Sequence, residues 1–198
     1  MNNIPKVIEI YTESTPNPRT LKFVLNFMLL ENALLECTSL DDCQFSPLAK
    51  ELIEPGDISS VFISNNFLTL TKSETTDKDW FELGIDTKEF LKTYFKAGNI
   101  AITDDFEEKR VEQAKISAEK NSEIEVRIVE LLDKYVKPAV ESDGGNIAFN
   151  AFEGGVVSVI LQGACSGCPS STATLKDGIE ALLQRMVPEV QEVVAING

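Results

Sequence analysis

A strongly charged stretch near the middle of the chain limits what the sequence can fold into. Residues 104–125 hold eight acidic and four basic residues and few large apolar ones, which is typical of a solvated linker. The chain of 198 residues is therefore predicted to form two small domains rather than one large core. The predicted divisions are a first domain at 1–103, an acidic linker at 104–121 and a second domain at 122–198.

The second domain is predicted to follow an α-β-β-α-β order. Ser122 to Glu125 match a capping box, and Asp143-Gly144-Gly145 would end the helix that it starts. A β-hairpin is predicted around Glu153-Gly154-Gly155, then a helix up to Met186 and a final strand. Apolar residues at helical spacing define the inner faces of the two helices: Ile124, Ile128, Leu131, Leu132, Tyr135 and Val136, then Leu175, Ile179, Leu182, Leu183 and Met186. The predicted class is α+β, with a small mixed sheet covered by helices.

The first domain is predicted to mix strands and helices. Two strands flank the proline-containing segment 14–20, and a short helix begins at Ser46-Pro47. A hairpin is predicted around Asn65-Asn66. A second helix is predicted to start at Asp86 or Thr87 and to stop at Gly98.

Composition excludes several classes of function. The chain has no His, so His-assisted nucleophiles and His-ligated metals are excluded. Its net charge of -14 opposes binding to nucleic acid and to anionic membranes. With no signal peptide pattern and no apolar run near 20 residues, the chain is expected in the cytoplasm, where thiols stay reduced.

The stretch Gly163-Ala164-Cys165-Ser166-Gly167-Cys168-Pro169 carries the main candidate site. Cys165 is predicted at the end of a strand, and Cys168 directly before a helix that starts at Pro169. The positive end of that helix favours thiolates, so depressed pKa values are predicted for both cysteines. Gly163 and Gly167 would let the backbone bend tightly and would leave room for a bulky inorganic ligand.

Counting ligands separates the possible uses of this pair. A zinc site or a 4Fe-4S cluster needs four ligands, and the motif supplies Cys165 and Cys168. Cys37 and Cys43 are expected to be buried thiols of the first domain. A homodimer in which each chain donates Cys165 and Cys168 would complete the set. Redox chemistry by the C-x-x-C pair and a zinc-bridged dimer are the alternatives.

Both domains resemble one protein family. The stretch from Asp143 through Cys165 and Cys168 to Met186 resembles the C-terminal domain of NifU, found in Nfu-type iron–sulfur cluster proteins. Residues 13–26, "ESTPNPRTLKFVLN", resemble the start of the Nfu N-terminal domain. One departure is Asn146, where the family commonly has Asp.

The resemblance implies a scaffold or carrier and not an enzyme. Such a protein holds a 4Fe-4S cluster, or a 2Fe-2S form, between two subunits and passes it to apo-proteins after receiving it from the assembly machinery. Cys165 and Cys168 match the cluster ligands, and the N-terminal domain would serve recognition or stability. The competing function is a thiol–disulfide oxidoreductase that uses the same pair.

Overall fold

The chain folds into two compact units, each with its own sheet. The computed structural model describes residues 4–106, 122–166 and 169–197, and the units divide between residues 107 and 108. Helices and strands mix in both units, so the predicted α+β class with two small domains is confirmed. Most of the predicted acidic linker, at 107–121, lies outside the described residues.

The first unit contains a five-stranded antiparallel sheet. Its strands are β1 (Ile10–Ser14), β2 (Thr20–Leu25), β3 (Leu30–Cys37), β4 (Ile58–Asn65) and β5 (Phe67–Lys72). They lie in the order β1-β2-β5-β4-β3. The predicted hairpin between β4 and β5 is confirmed, and Asn65 turns the chain with a φ of 48°, a conformation that Asn tolerates.

Two complete α-helices lie within the described residues of the first unit. In α1 (Pro47–Ile53), the Ser46 side chain accepts a hydrogen bond from the Ala49 N–H, which confirms the predicted cap. The predicted start of α2 (Trp80–Lys96) was wrong. The helix begins six residues earlier than Asp86, because the Asp79 side chain accepts a bond from the Glu82 N–H and caps it there.

The second unit is built on a three-stranded mixed sheet. It comprises β6 (Gly145–Glu153), β7 (Val156–Gly163) and β8 (Glu192–Asn197), in that order. β6 and β7 form the predicted antiparallel hairpin, and β8 runs parallel to β7. Gly154 and Gly155 form the turn with φ values of 57° and 87°. Val157, Val159 and Leu161 alternate along β7 and face the core.

The helices of this unit pack on that core face. α3 (Glu123–Leu131) starts with the predicted capping box, a π-helical turn follows at Leu132–Val136, and α4 is Lys137–Ser142. The Lys137 N–H bonds to the Leu132 carbonyl. Pro138 has no N–H for the next helical bond, so the wide turn accommodates its ring.

The π-helical turn overturns one predicted core position. The extra residue rotates the helix, so Tyr135 is 52% exposed whereas Val136 is buried. Gly144, with a φ of 84°, ends the helical segment as predicted.

The last helix, α5 (Pro169–Met186), begins at the predicted Pro169. Ile179 and Leu183 are fully buried against the sheet. Leu175, Leu182 and Met186 are partly buried at its border. Across the described part of the chain, no helix has both the length and the apolar character that a membrane crossing needs.

Candidate functional site

Cys165 lies in a tight turn where β7 ends. Its N–H donates to the Gln162 carbonyl at 3.4 Å, and the Ser166 N–H donates to the Gly163 carbonyl at 3.1 Å. Gly163 has a φ of 62°, so the bend predicted for this glycine is confirmed. Cys165 is 7% exposed and belongs to the core of the second unit. The local sequence therefore turns the chain directly after the strand and fixes the backbone of Cys165.

A neighbouring glycine makes room for this thiol. Gly145 opens β6 and lies opposite Gly163 in the strand register. A methyl group on Gly145 would lie 2.7 Å from Cys165 Sγ and 2.7 Å from the Gln162 carbonyl oxygen. Only a residue without a side chain fits at this distance.

The motif Asp143-Gly144-Gly145 thus has two roles. The sequence predicted only the first, which is to end the helix. Gly144 stops α4, and its carbonyl accepts a bond from the Ala164 N–H at 3.2 Å. Gly145 is needed for the close approach of Cys165. The second glycine was the signal for this close approach. One glycine is enough to end a helix, whereas a glycine inside a strand marks a close contact.

A pair of amide side chains, of which Asn146 is buried and Gln162 partly buried, lies next to these glycines. Asn146 is 2% exposed, and its Nδ2 donates to Oε1 of its cross-strand partner Gln162 at 2.9 Å. Sequence reasoning singled out Asn146 only as a departure from a family pattern and did not identify Gln162. Their pairing depends on strand register, which the sequence alone does not specify.

The second predicted ligand, Cys168, lies outside the described residues, as does Gly167. The structure describes the chain again from Pro169, where α5 begins. Within the described ranges, no group of three or more acidic or Cys side chains could hold a metal ion. In the described parts of one chain, Cys165 is therefore not part of a group of three or more such ligands.

Cys37 and Cys43 lie in the core of the first unit, as predicted. They are 0% and 4% exposed, and their sulfurs donate to the carbonyls of Asp42 at 3.6 Å and of Ser39 at 3.2 Å. Burial raises the pKa of both thiols, which keeps them protonated and poor as metal ligands. All three described cysteines are thiols.

Comparison with known domain families matches both units. Residues 10–98 match the family described as "Scaffold protein Nfu/NifU N terminal", and residues 128–194 match the NifU-like domain. The second match includes Gly145, Asn146, Gln162 and Cys165.

Curated relatives match along most of the chain. It is 36% identical over 184 residues to the human protein named "NFU1 iron-sulfur cluster scaffold homolog, mitochondrial", covering 93% of this chain and 70% of that protein. It is 37% identical over 188 residues to "NifU-like protein 4, mitochondrial" of Arabidopsis thaliana, covering 93% and 64%. Both names specify mitochondria, whereas the sequence predicts the cytoplasm.

Among solved structures, the chain is similar to a solution NMR structure of a NifU-like protein from Saccharomyces cerevisiae. The identity is 24%, the TM-score is 0.42, and the match covers 52% of this chain and 90% of that one. This likeness is too weak to support a conclusion about the fold.

Proposed function

Because the chain belongs to the Nfu family of iron–sulfur cluster scaffold proteins, we propose that it carries a 4Fe-4S cluster between two of its copies and delivers it to apo-proteins. The cluster is cargo, so the protein needs no catalytic residue and acts as a binding protein. Cys165 and Cys168 are the proposed ligands in each copy.

The position of Cys165 is the observation that carries this proposal. Two successive turns hold its backbone, and Gly145 and Gly163 flank it without side chains. A 4Fe-4S cluster is bulky and takes four thiolates. Gly145 leaves the space that Cys165 Sγ occupies, so this turn holds the thiol in place without a steric clash.

The number of ligands supports a dimer. Two cysteines from each of two copies give four thiolates, and a twofold axis through the cluster relates them. Within the described residues of a single chain, no group of three or more acidic or Cys side chains could hold a metal ion. A cluster that bridges two chains has all four of its thiolate ligands while the dimer lasts. It is released when other thiolates replace them.

Delivery would proceed by ligand exchange. Thiolates of the apo-protein replace Cys165 and Cys168 one after another, so no bond in the protein chain is formed or broken. An upstream assembly system supplies the cluster. The net charge of -14 favours protein partners over nucleic acid or anionic membranes.

Anaerobic reconstitution with iron and sulfide tests the function. We expect broad visible absorption, about one 4Fe-4S cluster per dimer and a dimeric mass after loading. Cys165→Ser and Cys168→Ser should each abolish loading. Cys43→Ser is the matched control, because it makes the same change at a buried cysteine outside the site. Normal loading of Cys165→Ser or Cys168→Ser would refute the assignment.

The two alternatives predict different results in the same preparation. A thiol–disulfide oxidoreductase would reduce insulin in the presence of thioredoxin reductase and would bind no iron. An antiparallel hairpin, rather than a β-α-β unit, precedes the motif in the described chain, which argues against thioredoxin-like geometry. A zinc-bridged dimer would contain zinc after anaerobic purification, as metal analysis would show.

The domain roles and the location belong to the same proposal. We assign cluster binding to residues 122–198, partner recognition or stability to 1–103, and a tether to the acidic segment 104–121. The cytoplasmic location stays a prediction that the names of the relatives do not favour. Imaging of the tagged protein in its native cell, with a mitochondrial marker, decides between the two compartments.

A further inference from the structure

One exposed face of α2 carries both apolar and basic side chains. Phe81, Ile85, Lys88, Lys92 and Lys96 follow one another at intervals of three or four residues. Their side chains therefore lie on one face of the helix, within an arc of about 80°. Phe81 is 79% exposed and Ile85 is 48% exposed. Lys88 and Lys92 are partly exposed, and Lys96 is exposed. These five residues form the α2 stripe.

The α2 stripe is separate from the face of the helix that packs into the first unit. That inner face consists of the buried residues Leu83, Gly84, Thr87, Leu91, Tyr94 and Phe95. A third face, between the other two, holds the exposed acidic residues Glu82, Asp86 and Glu89. The lysines of the α2 stripe are therefore grouped on one side of the helix and do not alternate with the acidic residues.

The charges of the α2 stripe are not used inside the molecule. Among the described residues, no carboxylate forms an ion pair with Lys88, Lys92 or Lys96. Several other lysines do have a carboxylate within 4 Å: Lys22, Lys78, Lys137 and Lys176. Lysines one helical turn apart repel one another, and an exposed aromatic ring gains nothing from burial. The α2 stripe therefore lowers the stability of the isolated fold.

We propose that the α2 stripe docks an acidic amphipathic helix of a partner protein. Apolar side chains of that helix cover Phe81 and Ile85, and carboxylates one turn apart pair with the three lysines. The stripe is about 22 Å long, which matches a partner helix of about 15 residues. In a cluster carrier this partner is an apo-protein, an identity that rests on the function proposed above.

An anionic membrane is the other surface that an apolar and basic helix face could meet. A helix that lies on a membrane needs an apolar face along its whole length. In α2 the apolar residues occupy the first half of the stripe and the lysines the second half. The adjacent acidic face of the helix and the net charge of -14 also oppose an anionic surface. The observations therefore favour a protein partner.

Fluorescence anisotropy with a labelled synthetic peptide tests the docking. The peptide is a helix of about 16 residues whose one face carries a pair of leucines followed by three glutamates, each one turn apart. A second peptide has the reverse order, because helices pair in parallel or antiparallel. We expect one peptide to bind the full-length protein, and binding to weaken as the salt concentration rises. If neither peptide binds, or if the protein binds vesicles of anionic phospholipid instead, the proposal is wrong.

Charge reversal tests the lysines of the α2 stripe. The double variant Lys88→Glu/Lys92→Glu should bind the peptide about tenfold more weakly, because two ion pairs become repulsive contacts. A peptide with lysines in place of its glutamates should bind this variant better than the wild type. The matched control Lys6→Glu/Lys134→Glu makes the same change in net charge outside α2 and should bind the original peptide like the wild type. Equal losses in both double variants would show an effect of net charge alone and would overturn the proposal.

Phe81→Ala tests the apolar end of the α2 stripe. We expect peptide binding to weaken about tenfold, whereas Val126→Ala, at a 47% exposed position of α3, should have no effect. In urea denaturation, Phe81→Ala should have a midpoint equal to or above that of the wild type, because the ring is already exposed and alanine favours the helix. A lower midpoint together with weaker binding would show that Phe81 supports the fold and would contradict the docking role.

NMR spectroscopy of ¹⁵N-labelled protein locates the contact. Addition of the peptide that binds should shift the backbone signals of Phe81 to Lys96 and leave those of β6, β7 and β8 unchanged. Shifts confined to the second unit would place the peptide elsewhere and refute the assignment to α2.

Cluster loading separates the failure of this proposal from that of the proposed function. Lys88→Glu/Lys92→Glu leaves Cys165 and Cys168 unchanged, so this variant should load a cluster like the wild type. A wild-type protein that takes up no cluster contradicts the proposed function, whereas the peptide still tests the α2 stripe. A wild-type protein that loads normally but binds neither peptide contradicts only the docking.

Discussion

At the scale of single residues, the sequence identified Cys165 but not what surrounds it. A C-x-x-C pair before Pro169 is visible as a motif, and so is the bend at Gly163. The space that Gly145 leaves for Cys165 Sγ depends on β6 and β7 pairing with Gly145 opposite Gly163. Such a register is specified by the packing of a whole face of the sheet, which local patterns do not contain.

Gly145→Ala should destabilise the second unit. The added methyl group would lie 2.7 Å from both Cys165 Sγ and the Gln162 carbonyl oxygen, and the backbone cannot move away cheaply. We expect a loss of about 1–3 kcal/mol in the free energy of unfolding, measured by urea denaturation.

Gly178→Ala is the control for that experiment. Gly178 lies inside α5 with no atom within 4 Å of an added methyl group, so alanine should stabilise the helix by roughly 0.5–1 kcal/mol. Equal stability of Gly145→Ala and the wild type would show that the close contact is absent in solution.

At the scale of elements, most helices and strands follow from local patterns. The elements that were not predicted, or were predicted with the wrong start, have physical explanations. The strand β3 was not predicted, since a shift in its pairing between Leu30 and Leu34 interrupts the alternation of apolar residues. The start of α2 was misplaced because Asp86 and Thr87 were interpreted as cap residues, although both lie inside the helix. In the folded chain, Gly84 brings the helix backbone close to Leu21, whose Cδ2 would lie 3.5 Å from an added methyl group.

The cap of α2 can be tested by comparing two aspartates. Asp79 caps the helix by accepting a bond from the Glu82 N–H at 2.9 Å, whereas Asp86 lies inside it. Asp79→Ala should lower the free energy of unfolding of the first unit by about 1 kcal/mol. Asp86→Ala should have little effect in the same denaturation experiment. If Asp86→Ala instead destabilised the unit more than Asp79→Ala, the helix would start where the sequence predicted.

An ion pair next to α2 gives the first unit a pH dependence. Lys78 donates to Asp57 at 2.7 Å, and Thr76 donates to the same carboxylate at 2.6 Å. These bonds hold the pKa of Asp57 below its ordinary value of 3.8, and the bond from Lys78 has the larger effect. Their stabilising contribution is therefore fully present above that ordinary value and is lost as the pH falls through the lowered pKa.

Asp57→Asn should remove this part of the acid sensitivity. Thermal denaturation between pH 2 and pH 7 should show that the variant is less stable than the wild type at pH 7 and that the difference shrinks below about pH 4. A constant difference across the range would mean that the carboxylate charge of Asp57 contributes nothing.

At the scale of the whole molecule, the division into two units follows from composition. The acidic segment lacks the apolar residues that a common core would need, and each unit has a separate cluster of buried residues. Counting ligands in one sequence predicts a site shared by two copies, but the geometry of that site cannot be derived from one chain, because half of its proposed ligands come from the second copy.

The two units should fold independently. We expect fragments 1–106 and 122–198 to give cooperative thermal transitions at the temperatures that calorimetry finds for the two units in the full chain. The matched full-length protein serves as the reference. A fragment that stays unfolded, or a large shift in its transition temperature, would show that one unit depends on the other.

The parallel pairing of β8 with β7 determines when the second unit can mature during synthesis. The hairpin of β6 and β7 needs only neighbouring residues, but β8 can pair only after α5 has crossed over the sheet, and such non-local pairing is slow. Val193 of β8 is fully buried beside the core that contains Cys165. A growing chain therefore contains Cys165 and Cys168 before β8 can complete the sheet, and stable loading should await the pairing of β8 with β7.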